Sequence, residues 1–346
     1  MKLLIVIVNY RITGLALQCL QALSTEIDSV PGIRVGLCEN GTGPEAVQQL
    51  RRAIADQGWD KWAYLREVYP NRGFTGGNNV VIREALTWPE PPEYLLLLNA
   101  DACVRPGALV ELVRFMDEHP RAGVAGSRIE NPDGSRQCSP FRYLTFVSEL
   151  DRGLRLGLIS RLLSPWGVAS PAPESPAQAE WVSGASLMVR REVFEQIGLL
   201  DEGLYTYFDD VDFCLRARRA GWEVWYVPSS RVSHLGGQST GVGREPDRPK
   251  RLPAYWFQAR RRYFLKNFGA LHAVLADAAF LTGFAVWRLR RRVQGKPDRD
   301  PPHLLWDAFR HSVFCTGLTV KPVPNPALQG TATDGAPPAE PSGSWS

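Results

Sequence analysis

Three stretches of this chain combine residue types and spacings that can do chemistry. The first is Leu95-Leu96-Leu97-Leu98-Asn99-Ala100-Asp101, where four leucines give way abruptly to Asn-x-Asp. A short, continuously apolar run reads as a strand buried on both faces. Ligands of open α/β sheets gather beyond the carboxyl ends of such strands. Asp101 is thereby expected at a sheet rim, where a carboxylate can hold a hard cation; an ordinary strand exit would use the same residues, since Asn and Asp also form turns. The second stretch is Phe208-Asp209-Asp210-Val211-Asp212, three carboxylates at an expected helix start. Crowded like charges raise at least one carboxylate pKa, which suits a base working near neutrality, although acidic residues also simply favour a helix N-terminus. The third is Asn71-Arg72-Gly73-Phe74-Thr75-Gly76-Gly77-Asn78-Asn79. Its glycines permit close backbone approach, and its amides can donate hydrogen bonds; a plain Gly/Asn turn is the alternative.

Elements able to position these stretches are readable in order. Leu3 to Val8 is an apolar strand ending in Asn9-Tyr10, and Ile33 to Cys38 a second ending in Glu39-Asn40-Gly41. A third covers Tyr64 to Val68, and the leucine run follows a helical pattern through Ile82 and Leu86. Strands alternating with helices predict an α/β fold with a mostly parallel sheet and right-handed crossovers. All polar strand ends then share one side. Further on, Ala122 to Ile129 and Glu223 to Val227 read as strands, and Arg191 to Ile197 as a helix. Between Arg136 and Glu180 the pattern degrades among Pro165, Pro171, Pro173 and Pro176, which predicts a mobile loop or insertion. Residues 246–320 read as a helical, basic extension, and the Pro/Gly/Ser/Thr-rich 321–346 as a disordered tail. The organisation expected is thus a main domain over 1–245, with halves of about 1–105 and 106–245, followed by that extension and tail.

Composition narrows the function classes. Hydrophobic content of 44% and charged content of 22% are those of a globular protein. A formal net charge of +4 over 346 residues gives no case for nucleic acid. Six cysteines lie scattered without a CxxC pair, so neither a disulfide framework nor a zinc site is expected. With the first apolar run too short for a signal peptide core, a cytoplasmic location is expected. Leu271 to Leu289 is apolar but carries His272 and Asp277 and ends in Arg288-Leu289-Arg290-Arg291-Arg292. This argues against a spanning helix and leaves two readings: an interfacial helix meeting anionic headgroups, or a packing helix with a solvated basic end.

Taken together, Asn9-Tyr10, the Asn71 to Asn79 segment, Asn99-Ala100-Asp101, Ser183-Gly184-Ala185, Phe208 to Arg216 and His234-x-x-Gly237 occur in an order that resembles the inverting glycosyltransferases of family 2, with the GT-A fold, particularly the bacterial rhamnosyltransferase-like branch. The resemblance covers roughly residues 2–265. It implies transfer of a sugar from a nucleoside-diphosphate donor (dTDP- or UDP-linked) to a glycan or lipid-linked acceptor, with Mg²⁺ or Mn²⁺. Asp101 would bind the cation, and His234 would add a metal or diphosphate contact. Asn99 stands where the familiar Asp-x-Asp has its first carboxylate. Glu39, where the family usually has Asp, would contact the base or ribose. Asn9, Tyr10, Asn71, Gly73, Phe74, Asn78, Asn79 and Asn99 would serve the donor, and Ser183, Gly184 and Ala185 the acceptor or donor sugar. By analogy with the family's acidic pair, Asp210 is the base, with Asp209 orienting it or the acceptor; Asp212 and Arg216 are spaced to pair across one helical turn.

Two other functions deserve weighing. A nucleotidyltransferase that makes activated sugars typically carries a Gly-rich, Arg/Lys-containing loop after the first strand, whereas Tyr10-Arg11-Ile12-Thr13-Gly14 lacks that glycine density. A catalytically inactive sugar-nucleotide or glycan-binding module is left open by Asn99 but opposed by the complete Asp209-Asp210 pair.

Overall fold

A computed structural model describes residues 1–170, 172–242 and 249–328. The apolar runs become strands through period-two alternation. In β1 (Leu3–Asn9), Leu3, Ile5 and Ile7 face one core and Leu4, Val6 and Val8 the other. The strand β1 pairs in parallel with β2 (Ile33–Asn40) on one side and β4 (Tyr94–Asn99) on the other, and β3 (Ala63–Val68) adds to β2. The register sets Asn9 beside Glu39 and Val8 beside Asn99, so the polar strand ends share one rim.

The second half attaches through an antiparallel strand. The strand β8 (Ser186–Arg190) runs against both β4 and β6 (Ala122–Glu130), and β9 (Glu223–His234) runs parallel to β6. Short β5 (Ala102–Val104) pairs antiparallel to β9, with Ala102 opposite His234, and β7 (Ala177–Gln178) pairs with β9 as well. The sheet order is β3-β2-β1-β4-β8-β6-β9-β5. This is the expected α/β fold with a mostly parallel sheet.

Helices cover both faces. On one, α1 (Thr13–Ser24), α2 (Pro44–Asp56) and α4 (Ala108–Glu118) pack Leu20, Leu50, Leu112 and Met116 onto Ile5, Leu37, Leu96 and Leu98. On the other, α3 (Gly73–Ala85) places Val81 and Ile82 against Leu4, Val6 and Leu95. Each fully buried leucine contributes about 1.5–3 kcal/mol, which explains why the leucine strand sits centrally.

Two sequence expectations need correction. The stretch Arg136–Glu180 is not simply a loop, because it contains α5 (Phe146–Leu154) and α6 (Gly157–Leu162). A capping box between Thr145 and Ser148 starts α5. Past α7 (Arg191–Ile197) and α8 (Asp209–Arg219), α5 packs on the long α9 (Ala254–Val293), which breaks at Gly269 with φ of 84°. A Cβ on Gly153 would lie 2.9 Å from the Phe280 carbonyl, so only glycine lets the two helices approach this closely. Buried Arg260 donates to Glu149 at 2.6 Å and also pairs with Asp277. Asp277 is therefore an internal ion-pair partner that ties α9 to α5. Beyond α9, α10 (Leu304–Arg310) and α11 (Val313–Thr316) pack back on it, and Asp277 accepts from the Val313 amide at 2.8 Å. The second correction concerns the tail expected from Lys321: Val323 is buried against Leu204 and Ala259. Residues 329–346 of that tail lie outside the described residues.

Candidate active site

Past the carboxyl ends of β1, β2 and β4 opens a cleft of about 590 Å³, within the range of small-molecule sites. Its wall includes Tyr10, Asn71, Gly73, Phe74, Asn99, Asp101, Ser183, Gly184, Ala185, Asp209, Asp210 and His234. Of the residues singled out from sequence, Asn9, Glu39, Asn78 and Asn79 do not reach this wall.

Their positions explain why. Asn9 and Glu39 are 0% and 2% exposed, and the Asn9 amide donates to Glu39 Oε2 at 2.6 Å. Glu39 also accepts from the Thr42 amide and hydroxyl, closing the turn after β2. The amide of Asn78 donates to the Phe74 carbonyl at 2.8 Å. That of Asn79 exchanges hydrogen bonds with Leu200 and donates to Glu202, which pins the Leu200–Glu202 turn to α3. The glycines of this segment serve packing too. A Cβ on Gly77 would sit 2.7 Å from Val8 Cγ1, and one on Gly73, at φ of 74°, 2.3 Å from the Tyr205 carbonyl. Close approach is what the glycines provide, but here it is to the protein's own chain.

Asn40 was not singled out as a site residue, although it stands next to Glu39. It lines the cleft, donates to Asn71 Oδ1 at 3.0 Å and to the Gly73 carbonyl at 2.9 Å, and accepts from the Arg72 amide at 3.0 Å. A single side chain thus shapes the whole entry to α3. Only the polar end of β2 hinted at it.

Asp101 and His234 meet because β5 returns antiparallel to β9. His234 Nε2 lies 3.3 Å from Asp101 Oδ1 and 3.1 Å from Asn99 Nδ2. One carboxylate and one imidazole suit Mg²⁺ or Mn²⁺ whose remaining positions are filled by ligand oxygens. Among the described residues no group of three or more His, Cys, Asp or Glu could hold a metal alone, so a cation here would need a bound ligand to complete its shell.

The acidic pair lines the same cleft. Asp210 Oδ2 accepts from the Gly184 amide at 3.1 Å and Oδ1 from the Val211 amide at 2.8 Å. A Cβ on Gly184 would come within 3.3 Å of Asp210 Cβ, so a residue without a side chain keeps that approach uncrowded. Burial, and then the neighbouring Asp210 charge, push Asp209 up to about 8. Burial also raises Asp210, opposed by its two backbone donors. The pair therefore holds a proton near neutrality, with Asp210 the better stabilised as the anion. Asp212 turns away to Arg216 at 3.0 Å, Lys266 at 2.8 Å and Asn267 at 2.8 Å, which is the expected i,i+4 pair extended to α9.

The loop that delivers the pair is strained. Tyr205, Tyr207 and Phe208 all have positive φ, at 62°, 66° and 61°. Such positions cost roughly 1–3 kcal/mol each and persist where the surroundings over-determine them. Here the Tyr205 carbonyl accepts from the Thr75 amide and hydroxyl, and Tyr207 donates to Thr240 at 2.7 Å and stacks on Tyr255. Leu144, Val168, Trp181, Phe208 and Trp256 give the end of the cleft near Asp210 an aromatic and apolar lining.

A family model described as "Glycosyltransferase like family 2" matches residues 2–265. The chain belongs to that family. It is 34% identical over 163 residues to the N-acetylglucosaminyl-diphospho-decaprenol L-rhamnosyltransferase of Mycobacterium tuberculosis (strain ATCC 25618 / H37Rv), covering 46% of this chain and 51% of that protein. Rhamnosyltransferase WbbL of Escherichia coli (strain K12) is 23% identical over 164 residues, or 47% of this chain and 60% of WbbL. The chain thus spans about half the length of the curated relatives it matches. Among solved structures, the mannosyltransferase PcManGT from Pyrobaculum calidifontis, in complex with GDP-Man and Mn²⁺, superposes with a TM-score of 0.53 at 14% identity, covering 92% of this chain and 84% of that one. The fold is GT-A.

Proposed function

We propose that this family 2 chain is an inverting hexosyltransferase, moving a sugar from a dTDP- or UDP-linked donor to a glycan or lipid-linked acceptor. The observation that carries this reading is a single cleft lined both by the adjacent Asp101 and His234 and by the Asp209-Asp210 pair. In this reading Tyr10, Asn40, Asn71, Gly73 and Phe74 border the nucleotide. Asn99, Asp101 and His234 face the diphosphate, and a divalent cation bound by Asp101 and His234 would neutralise charge on the leaving group. Asp210 accepts the proton of the acceptor hydroxyl as its oxygen bonds to the anomeric carbon from the far side. The bond from that carbon to the diphosphate breaks, and nucleoside diphosphate departs. Asp209, protonated, keeps Asp210 the only anion of the pair; the Gly184 amide holds Asp210 in place, and Ser183, Gly184 and Ala185 border the sugar. Rhamnose is the favoured sugar because two relatives are named rhamnosyltransferases. A nucleotidyltransferase is disfavoured by the glycine-poor turn after β1.

The acceptor side fits a membrane-borne molecule. Exposed large apolar side chains concentrate on the helical extension and α6, including Leu158, Leu162, Leu271, Leu289, Val293 and Trp306. The same helices carry exposed Arg161, Arg292 and Arg310, which suits reversible docking on anionic lipid at the cytoplasmic face. Although α9 includes a stretch apolar enough to span a membrane, 33% of that stretch is buried within the fold.

Release of free nucleoside diphosphate from a panel of dTDP- and UDP-sugars, with and without Mn²⁺, tests the reaction class; release of pyrophosphate instead would favour the nucleotidyltransferase. Vesicles containing anionic lipid should float the protein, and Leu271→Glu with Leu289→Glu should leave it at the bottom. Equal flotation of both would remove the docking face.

A further inference from the structure

The segment read from sequence as the start of a disordered tail crosses back to the cleft. Val323 is 6% exposed, packs against Leu204 and Ala259, and donates its amide to the Gly203 carbonyl at 2.7 Å. Two residues on, Asn325 Nδ2 donates to the Asn71 carbonyl at 2.7 Å, while Asn325 Oδ1 accepts from the Ala327 amide at 3.0 Å. That second bond closes a turn which aims the amide group. Pro326 and Ala327 then line the cleft itself.

The two anchor points belong to neighbouring segments of the cleft rim, which Asn79, Arg72 and Thr75 already join. Gly203 lies in the turn that Asn79 and Arg262 hold and that leads into the strained Tyr205–Phe208 loop. Asn71 lies in the turn that opens α3, with its side-chain oxygen already accepting from Asn40 and from the Gly73 amide. The segment therefore adds an outer tie between the turn that leads into the carboxylate-bearing loop and the turn that opens α3. With it seated the cleft still encloses about 590 Å³, so it forms a wall of the site and does not plug it.

We propose that Val323–Ala327 is a strap that forms the outer wall of the donor site and sets the affinity for the nucleoside-diphosphate part of the donor. The proposal rests on the donor-site reading above. A ligand seated against this rim gains from its being fixed in advance, because less ordering is left for binding. The strap acts by positioning and touches no reacting atom, so its loss should appear in donor affinity and KM, with kcat at saturating donor little changed.

Titration calorimetry with UDP and dTDP in the presence of Mn²⁺ tests this on the full chain and three variants. Asn325→Ala removes one hydrogen bond and should raise the nucleotide Kd about two- to tenfold. Ending the chain after Thr319 should raise it further. Ending it after Leu328 keeps the strap and should leave Kd as in the full chain. A lower Kd without the strap would make it an autoinhibitory contact and overturn the proposal. So would an unchanged Kd accompanied by a fall in Tm, which would reduce the strap to packing, or an equal loss in the chain ended after Leu328. Failure of the full chain to bind either nucleotide would instead strike the donor-site reading itself, so the two failures are distinguishable. Asn325 is half-buried and its loss removes only one side chain, so that variant remains informative should the shorter chain not fold.

Discussion

The two walls of the cleft are built by different means. On the donor side, strand ends in register are linked by buried amide and backbone hydrogen bonds: Asn9 to Glu39, Asn40 to Asn71 and Gly73, Asn79 to Leu200. Among the described residues, the only carboxylate on that wall that faces the cleft is Asp101, beside His234. On the other side a buried carboxylate, Asp209, adjoins a half-buried one, Asp210, delivered by three positive-φ residues and braced by ion pairs that reach α9, such as Asp201 with Arg262 and Lys266. The first wall is pre-organised for binding at little electrostatic cost. The second stores strain and charge repulsion, which is what a base needs if it is to take a proton near neutrality. In the proposed function, recognition falls to the first wall and proton transfer to the second.

The sharpest way to break that assignment is Asp210→Asn. The change keeps shape and removes basicity, so turnover should fall by about 10²–10⁴, the usual worth of a general base, with donor affinity nearly intact. Single-turnover rates and a separate donor titration check it. Asp209→Asn should cost less. If it is the deeper lesion in turnover, the roles within the pair are reversed.

Asp101→Ala should do the opposite on the opposite wall. Donor binding in Mn²⁺ should weaken by ~100-fold, as expected when a metal ligand is lost, and the difference between titrations with and without Mn²⁺ should vanish. Cation-dependent binding that survives the change would take Asp101 out of the site.

The two walls were also unequally legible in the sequence. The donor wall follows local rules: continuous apolar runs give buried strands, and their polar ends give the rim, so Asn99, Asp101, Asn71 and Gly73 fell into place. Where a side chain points across a tertiary contact, the rules fail. Asn78 and Asn79 look like free amides, but α3 packs so tightly on Val8 that both are turned inward. Glu39, expected to contact the base or ribose, is buried under Asn9 and Thr42. On the other wall the acidic cluster was visible, whereas its anchor depends on Gly184 arriving from the segment before β8, 26 residues away in sequence. The helix α5 escaped notice because its nine residues are followed by a proline-rich stretch, and its partner α9 begins a hundred residues later. The strap looked disordered by composition; its order comes from one buried valine and one amide.

The smallest expected effect concerns stability, and it probes the repulsion on the second wall directly. Burial and the Asp210 charge push Asp209 up to about 8 in the folded chain, against about 3.9 in an unfolded one. A carboxyl raised on folding binds its proton more tightly in the native state. Its stabilising contribution is complete below the unfolded value and is lost as pH rises from about 4 through about 8. Asp209→Asn carries no proton to lose and keeps the volume. Measured without nucleotide or divalent cation, the variant's Tm should therefore gain on that of the unaltered chain as pH is raised from 5 to 8.5. The gain should be about 2–4 °C per kcal/mol of repulsion relieved, or somewhat less for a chain of this length. Asp210→Asn should give the same sign with a smaller slope, because the Gly184 and Val211 amides already stabilise its anion. A Tm difference that stays flat across this range would mean that Asp209 is ionised like a surface carboxylate. Asp210 would then have no protonated neighbour, and the second wall would be no better suited to proton transfer than the first.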